Sequence, residues 1–264
     1  MRICHDHEPS KEEPVMTIDT STINQPPQFH TLDDERQYRK ERLAAVFRIF
    51  AKLGYEEGVM GHVSARDPER PDHYWTNPFG LSFSLIRASD LVLIGPDKKV
   101  VSGHGLVHPG GLLLHPQLLR GNPEIVSAAH THSIYGRSWS TLNRLLDPLT
   151  AESAAFYRQH AIYDSFAGGE GDNLARAVER NKVILLRNHG ILSVGRTVDE
   201  AAYWFISFER SCQAQLLAEA AGRPQPVGAE HAEAVAARTD ARFGWLNFQP
   251  YYQAIVQEQP ELLQ

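Results

Sequence analysis

Two histidines with one residue between them stand at the end of an apolar run, in the segment "EIVSAAHTHS". In a β-strand, residues i and i+2 point to the same face, so His130 and His132 would present two imidazoles side by side, with Thr131 turned away. Such a pair is suited to hold one metal ion, although a core histidine beside a surface histidine gives the same spacing. The pair alone therefore leaves both interpretations open.

A third histidine follows a second apolar run, in "VILLRNHGILSVG". His189 lies in an Asn-His-Gly turn at the end of a predicted buried strand. Three protein ligands leave coordination positions open for water or substrate, which is typical of catalytic metal sites. Imidazole suits zinc, iron, cobalt and nickel, so the ligand type does not select the metal. Together with His130 and His132, His189 predicts a catalytic site for a divalent metal.

These residues need a framework of strands and helices to position them. A helix is predicted between an N-cap at Thr31 and a stop at Gly54, and another between Thr197 and Gly222. The segments "DLVLIGPDKKVVSG" and "GGLLLHPQLLRGN" indicate a strand pair and a short helix. Residues 229–264 are predicted to be helical at first and then irregular. Strands that alternate with helices indicate an α/β fold.

Composition excludes several classes of protein. The 264 residues carry a formal net charge of -6, whereas a nucleic-acid binder needs a basic face, so no nucleic-acid partner is expected. No apolar run is long enough to span a membrane. Two distant cysteines form no disulfide framework, which favours a reducing cytoplasm. Residues 1–28 are polar and proline-rich and are predicted to be a disordered tail, with one domain over 29–264.

The order of several motifs resembles the class II aldolase/adducin family. These motifs are "GHVSAR", "TNPFG", the His-Thr-His run, the Asn-His-Gly turn and "GRTVDEAAYWFISFERSCQ", and the resemblance covers roughly residues 36–222. It implies a single three-layer α/β/α domain around a mixed, largely antiparallel sheet. It also implies a homotetramer, with the metal site near a subunit interface. By resemblance, His130, His132 and His189 are the metal ligands.

The sequence departs from the family aldolases where those enzymes carry a Ser-Ser-Glu motif. Gly111 stands at the position of the glutamate, Pro109 and Gly110 stand at the serines, and His62 replaces an asparagine of the first loop. Glycine supplies neither a base nor a ligand, and the phosphate-binding serines are lost, so a phosphorylated sugar is not an expected substrate. Three glutamates are candidates to replace the missing carboxylate: Glu124, Glu152 and Glu170.

Within the family, the chain most resembles the aldolase-like non-haem iron enzymes of aminocoumarin antibiotic biosynthesis. That resemblance implies Fe(II)- and O₂-dependent oxidative decarboxylation of an aryl 2-keto acid, such as a prenylated 4-hydroxyphenylpyruvate, to the mandelate and then the benzoate. The first alternative is a non-oxidative decarboxylase or aldolase of a small non-phosphorylated keto or hydroxy acid, with Zn(II) or another divalent metal. The second is an adducin-like interaction module without catalysis.

Five further residues are candidates for the site. Arg66 and Arg187 could each pair with a substrate carboxylate through the guanidinium fork, although Arg66 also fits a structural ion pair. By resemblance, Tyr251 would reach an aromatic substrate across a subunit interface, or would only pack. His115 and His160 could orient a metal ligand from behind or serve the fold alone.

Overall fold

A single eight-stranded sheet forms the centre of the molecule. The computed structural model describes residues 25–164 and 172–264. The predicted tail lies outside the described residues up to position 24, and so does Glu170. The strands are β1 (His62–Arg66), β2 (Tyr74–Thr76), β3 (Val92–Ile94), β4 (Val100–Ser102), β5 (Ser127–Thr131), β6 (His160–Tyr163), β7 (Val183–Leu186) and β8 (Gly190–Gly195). Their order across the sheet is β4-β3-β2-β1-β5-β8-β7-β6.

The sheet is mixed but largely antiparallel, as the resemblance implied. Only β6 and β7 pair in parallel within the described strands, and every other neighbouring pair is antiparallel. The strands at the centre are buried along their whole length, as in β1 and β5. Burial on both faces requires a helical layer on each side of the sheet.

Helices cover both faces and complete a three-layer α/β/α domain. They are α1 (Leu32–Lys52), α2 (Pro109–Gly121), α3 (Ile134–Ser140), α4 (Ala151–Ala154), α5 (Asp172–Ala177), α6 (Val198–Ala221), α7 (Ala229–Arg238) and α8 (Ala241–Glu258). One apolar cluster joins α1, α6 and α8 to one face of the sheet, and a second joins α2 and α5 to the other. Ala129 belongs to the first cluster and Ala128 to the second. Because side chains alternate along a strand, His130 faces the α2 and α5 layer, as Ala128 does.

The two long helices begin where the sequence predicts. The Thr31 side chain accepts a hydrogen bond from the backbone N–H of Asp34, and Thr197 accepts one from Glu200. The Glu200 carboxylate accepts from Arg196 N and from the Trp204 indole. Gly222 is the C-cap of α6, as predicted.

The irregular C-terminal segment predicted from the sequence is wrong. Helix α8 continues through Pro250 to Glu258 and carries most of the aromatic residues near the end of the chain. Proline removes one hydrogen bond of the helix and disfavours its interior position. Burial of Trp245 and Phe248 offsets that cost, and Asp240 caps the helix by accepting from Phe243 N.

None of the described helices is long and apolar enough to cross a membrane.

Candidate metal centre

Three histidines meet where β5 ends and β8 begins. His130 belongs to β5, His132 follows it directly, and His189 precedes β8. These strands are antiparallel, with Thr131 opposite Ile191, so the end of one lies beside the start of the other. The three rings lie 4.8 to 5.3 Å apart between centroids, and one ligand atom of each histidine lies within 4.8 Å of the others. The structure thus brings together the three residues predicted to bind metal.

The ring of His130 is held in the orientation that a metal ligand needs. Its Nδ1 lies 2.8 Å from the carbonyl oxygen of Ile191, which can only accept, so the proton resides on Nδ1. Nε2 therefore carries a lone pair. It is buried, and no hydrogen-bond partner is found for it in residues 25–164 and 172–264. A buried acceptor without a partner, among two other imidazoles, fits a divalent metal.

The turn before β8 positions His189. Its backbone N–H donates to Leu186 O at 2.9 Å, and Asn188 adopts a left-handed conformation with φ 54°. Gly190 has φ 152°, and a Cβ there would lie 3.2 Å from the carbonyl oxygen of Thr131. Glycine at this position thus permits β8 to start close against the end of β5.

A buried carboxylate holds the chain that follows His132. Glu209 of α6 accepts hydrogen bonds from Ser133 Oγ at 2.7 Å, Tyr135 N at 2.8 Å and Gly136 N at 2.6 Å. Burial raises the pKa of Glu209, and these donors oppose the rise. Since the donors belong to the N-cap residue and the first turn of α3, Glu209 fixes the start of that helix directly after His132.

Burial lowers the pKa of each of the three histidines, and the neighbouring imidazoles lower it further. The site therefore favours neutral rings, which is the state that binds a metal. Beyond the rings, the Arg137 guanidinium lowers the pKa of His132, and the Glu57 carboxylate raises it. These two residues form an ion pair with an N–O distance of 2.6 Å.

Two further histidines border the three. His62 is the cross-strand neighbour of His130, and their ring centroids lie 5.1 Å apart. His108 lies 5.5 Å from His62, and its Nδ1 caps α2 by accepting from Gly110 N. The sequence analysis assigned no role to His108, because its approach to His62 depends on how the start of α2 packs against β1. The nearest sequence signal is the position of His62 at the start of a strand.

The proposed contact of Arg66 with substrate is wrong. Its guanidinium donates to four backbone carbonyls, those of Pro71, Leu119, Asn122 and Ile125. These bonds use its donors and tie β1 to the end of α2. Arg66 is therefore a structural residue, with backbone acceptors rather than the ion pair that was considered.

His160 does not orient a metal ligand. Its Nδ1 bonds to Phe156 O at 2.7 Å, and its Nε2 accepts from Leu146 N at 2.8 Å. Both ring nitrogens are thus committed to the backbone around β6, at the edge of the sheet. His115 is buried, but it contacts His62 rather than one of the three clustered histidines, with Nε2 2.7 Å from His62 Nδ1.

The remaining candidates lie outside the cluster in the single chain. Arg187 lies in the same turn as His189 and forms an ion pair with Asp164 at 3.0 Å. Tyr251 packs in the α1, α6 and α8 layer, on the opposite side of the sheet from His130, and its hydroxyl accepts from Arg210. A contact between Tyr251 and substrate would thus need a second protomer.

The two candidate carboxylates within the described residues, Glu124 and Glu152, do not fill the place of the missing glutamate. Glu124 precedes β5, at the strand end away from the histidines, and pairs with Arg196. Glu152 lies in the first turn of α4. A carboxylate whose charge acts on His132 is that of Glu57, which the sequence analysis did not single out.

The family profile described as "Class II Aldolase and Adducin N-terminal domain" matches residues 41–216. The chain belongs to this family. Among its relatives is the decarboxylase NovR of Streptomyces niveus, which is 36% identical over 91% of this chain and 92% of NovR. Another, from Streptomyces roseochromogenus subsp. oscitans, is named 4-hydroxy-3-prenylphenylpyruvate oxygenase/4-hydroxy-3-prenylbenzoate synthase and is 36% identical over 90% of this chain and 88% of its own length.

A solved structure of the class II aldolase fold superposes closely on this one. It is titled L-fuculose 1-phosphate aldolase from Glaciozyma antarctica PI12, with a TM-score of 0.87 and 38% identity. The match covers 92% of this chain and 98% of that one. The fold class predicted from the sequence is confirmed. The named activities of these relatives differ, so the residues of the site must decide between them.

Proposed function

We propose that His130, His132 and His189 bind a divalent metal, Fe(II) in the active form, with Zn(II) or another divalent ion as the alternative. The observation that carries this proposal is the buried Nε2 of His130, which holds a lone pair and lacks a partner among the described residues. The metal would supply a Lewis-acid centre with open positions and, as iron, the electrons for oxygen chemistry. Membership of a metal-dependent aldolase family supports the same site.

We further propose that the chain oxidatively decarboxylates an aryl 2-keto acid, such as a prenylated 4-hydroxyphenylpyruvate. In the first step the keto acid and O₂ give the mandelate and CO₂. In the second, the mandelate and O₂ give the benzoate, CO₂ and water. The names of the two Streptomyces relatives support this reaction, and the similarity spans nearly their whole lengths. Gly111 agrees with it, because the reaction does not require the base that aldol cleavage needs.

The residues around the cluster suggest how a keto acid would be held. Arg137 lies on α3, which begins directly after the His132 turn, and its charge acts on that histidine. Its Nη1 contacts Glu57, and we propose that the guanidinium also pairs with the substrate carboxylate, the role first considered for Arg66, because a guanidinium fork suits a carboxylate. Arg187, in the turn that carries His189, is a second candidate for this contact. Tyr251 is a candidate for the aromatic ring, from a neighbouring protomer.

The aldol reaction is the second candidate, because the Glaciozyma structure bears the name of an aldolase. The position of its family glutamate is Gly111 here, so no carboxylate projects from the start of α2. Among described residues, the carboxylate that acts on the cluster is Glu57, and Arg137 already pairs with it. The geometry therefore favours oxidative decarboxylation over aldol cleavage.

We also propose that the chain forms a homo-oligomer, with four protomers as in the family aldolases. Large apolar side chains stand exposed close in sequence to the site residues, with 74% exposure at Leu106, 55% at Leu113 and 53% at Ile134. A contiguous apolar patch is typical of an interface, and we propose that these side chains form one.

The test is an assay of the anaerobically purified protein, loaded with Fe(II) or with Zn(II). O₂ uptake and CO₂ release are followed with 4-hydroxyphenylpyruvate and its 3-prenyl analogue. We expect both signals in the iron form only. CO₂ release without O₂ uptake would indicate a non-oxidative decarboxylase, and cleavage of L-fuculose 1-phosphate would indicate an aldolase. A protein that binds no metal and turns over no substrate would fit an adducin-like module.

A further inference from the structure

A chain of three buried polar side chains leads from the interior of the sheet to the candidate metal centre. Ser64 Oγ lies 2.7 Å from His115 Nδ1, and His115 Nε2 lies 2.7 Å from His62 Nδ1. Ser64 and His115 are fully buried, and His62 is 2% exposed. His62 sits opposite His130 on the neighbouring strand, so the chain ends beside the three clustered histidines.

The two hydrogen bonds that join Ser64, His115 and His62 can be oriented, from donor to acceptor, in only two ways. Burial lowers the pKa of His115 to about 3, so its ring is neutral and carries a single N–H. Either Ser64 donates to His115 and His115 donates to His62, or both bonds are reversed. In the reversed direction the Ser64 hydroxyl proton would have no acceptor, since His115 is the partner found for Ser64 Oγ within the described residues.

A buried donor without an acceptor is disfavoured, so the first direction prevails. His62 then accepts at Nδ1 and carries its own proton on Nε2. An Nε2 that bears a proton cannot ligate a metal, but it can donate a hydrogen bond. No partner within residues 25–164 and 172–264 uses this donor, and the atom is not sealed from solvent.

Two glycines at the start of α2 make room for this ring. A Cβ on Gly110 would lie 3.3 Å from His62 Nε2, and a Cβ on Gly111 would lie 3.3 Å from Cγ of the same ring. Both distances are tighter than ordinary packing, and a longer side chain would displace the imidazole. The ring of His62 thus lies against the position where a side chain at residue 111 would begin.

We propose that His62 is a fixed hydrogen-bond donor, through Nε2–H, to an oxygen of the substrate held at the candidate metal centre. His115 and Ser64 are positioning residues that keep His62 in this tautomer. The inference rests on the proposed function in that a 2-keto acid offers the carboxylate or keto oxygen to accept the bond. A donor aimed at such an oxygen stabilises negative charge that develops during reaction.

The tautomer can be measured without any turnover. In the Zn(II)-loaded protein with ¹⁵N-labelled histidine, NMR chemical shifts separate Nε2–H, Nδ1–H and metal-bound nitrogens, and the His62→Gln variant assigns the signal. We expect Nε2–H at His62 in the wild type and a mixture with Nδ1–H in Ser64→Ala. An Nδ1–H tautomer or a metal-bound Nε2 in the wild type would overturn the proposal. An unchanged Nε2–H signal in Ser64→Ala would overturn the role of Ser64.

The donor role can be measured in the iron form with 4-hydroxyphenylpyruvate. We expect His62→Leu to lower kcat about 100-fold, and His62→Gln, which keeps an N–H donor, to lower it about tenfold. Metal content should match the wild type in both variants, with the exposed His104→Gln as the matched control. Equal kcat in wild type and His62→Leu would refute the inference. If the wild type itself is inactive, the proposed reaction fails, while the NMR measurement still decides the tautomer.

Discussion

One backbone carbonyl, that of Ile191, determines the tautomer of the His130 ring. Ile191 O accepts a hydrogen bond from Nδ1–H of His130, which leaves the lone pair of Nε2 directed among the other rings. Ile191 lies two residues after His189, so β8 orients one candidate ligand and begins directly after another. Binding of a metal therefore requires little rearrangement of these two side chains, and preorganised ligands bind more tightly.

Removal of His189 tests the candidate metal centre. We expect His189→Ala to lower the affinity for Zn(II) more than about 100-fold, because even outer partners of a ligand contribute 10- to 100-fold. Competition with a chelator measures the affinity, and circular dichroism should show an unchanged fold, since the side chain lies in a surface turn. His104→Ala is the matched control. Full metal occupancy in His189→Ala would exclude the three-histidine site.

Arg137 provides a separate test of how substrate binds. We expect Arg137→Met to raise KM for 4-hydroxyphenylpyruvate roughly tenfold and to change kcat little, because loss of a uniform contact weakens ground state and transition state alike. Arg158 also forms an exposed ion pair, with Glu233 of α7. Arg158→Met is therefore the control. A KM equal to that of the wild type would shift the carboxylate contact to Arg187.

At the scale of elements, what could be predicted from the sequence was local. Thr31 and Thr197 cap their helices through bonds to residues three positions on, and that spacing is visible in the sequence. The position of His62 beside His130 depends on the pairing of β1 with β5, which no local pattern specifies. Helix α8 passes Pro250 because tertiary burial outweighs local propensity, and the donors of Arg66 are satisfied by distant carbonyls.

The start of α3 depends on Glu209, and a single substitution tests that dependence. In Glu209→Gln one carboxylate oxygen becomes an amide nitrogen, which cannot accept from the donors of Ser133, Tyr135 or Gly136. At least the bond from Tyr135 N is lost, and the remaining bonds lose their charge assistance. We expect a free energy of unfolding lower by about 2 kcal/mol and a Zn(II) affinity about tenfold lower. The exposed Glu233→Gln should change neither. A lowered free energy of unfolding with unaltered Zn(II) affinity would show that the start of α3 does not influence metal binding.

At the scale of the molecule, buried histidines should make the metal-free protein sensitive to acid. Burial lowers the pKa of several histidines, including His62, His115 and His130. Below about pH 6.5 these histidines become protonated in the unfolded chain but stay neutral in the native state. The free energy of unfolding therefore falls as pH falls. His115, with a pKa of about 3, contributes a loss of about 2 kcal/mol between pH 6.5 and 5.

Urea unfolding of the metal-free protein at pH 7, 6 and 5 measures this loss. In the His115→Gln variant the free energy of unfolding should depend less steeply on pH than in the wild type, because one buried histidine with a lowered pKa is absent. The exposed His104→Gln should reproduce the wild-type slope. A free energy of unfolding that is constant from pH 7 to 5 would mean that these histidines are protonated as readily in the native state as in the unfolded state.

The exposed apolar surface near the site gives the last prediction, which concerns assembly. Leu113 lies on α2 two residues after Gly111, and its side chain is 55% exposed without a partner in the single chain to cover it among the described residues. If protomers meet here, a charge at Leu113 would be buried unpaired, which is strongly unfavourable. We expect light scattering to show four chains in the wild type and smaller species in Leu113→Glu. Leu217, which is 62% exposed on α6, is the matched control, and Leu217→Glu should retain the assembly. Dissociation by Leu217→Glu, with Leu113→Glu intact, would place the interface on the α6 side of the sheet and remove the support for a site completed by a neighbouring Tyr251.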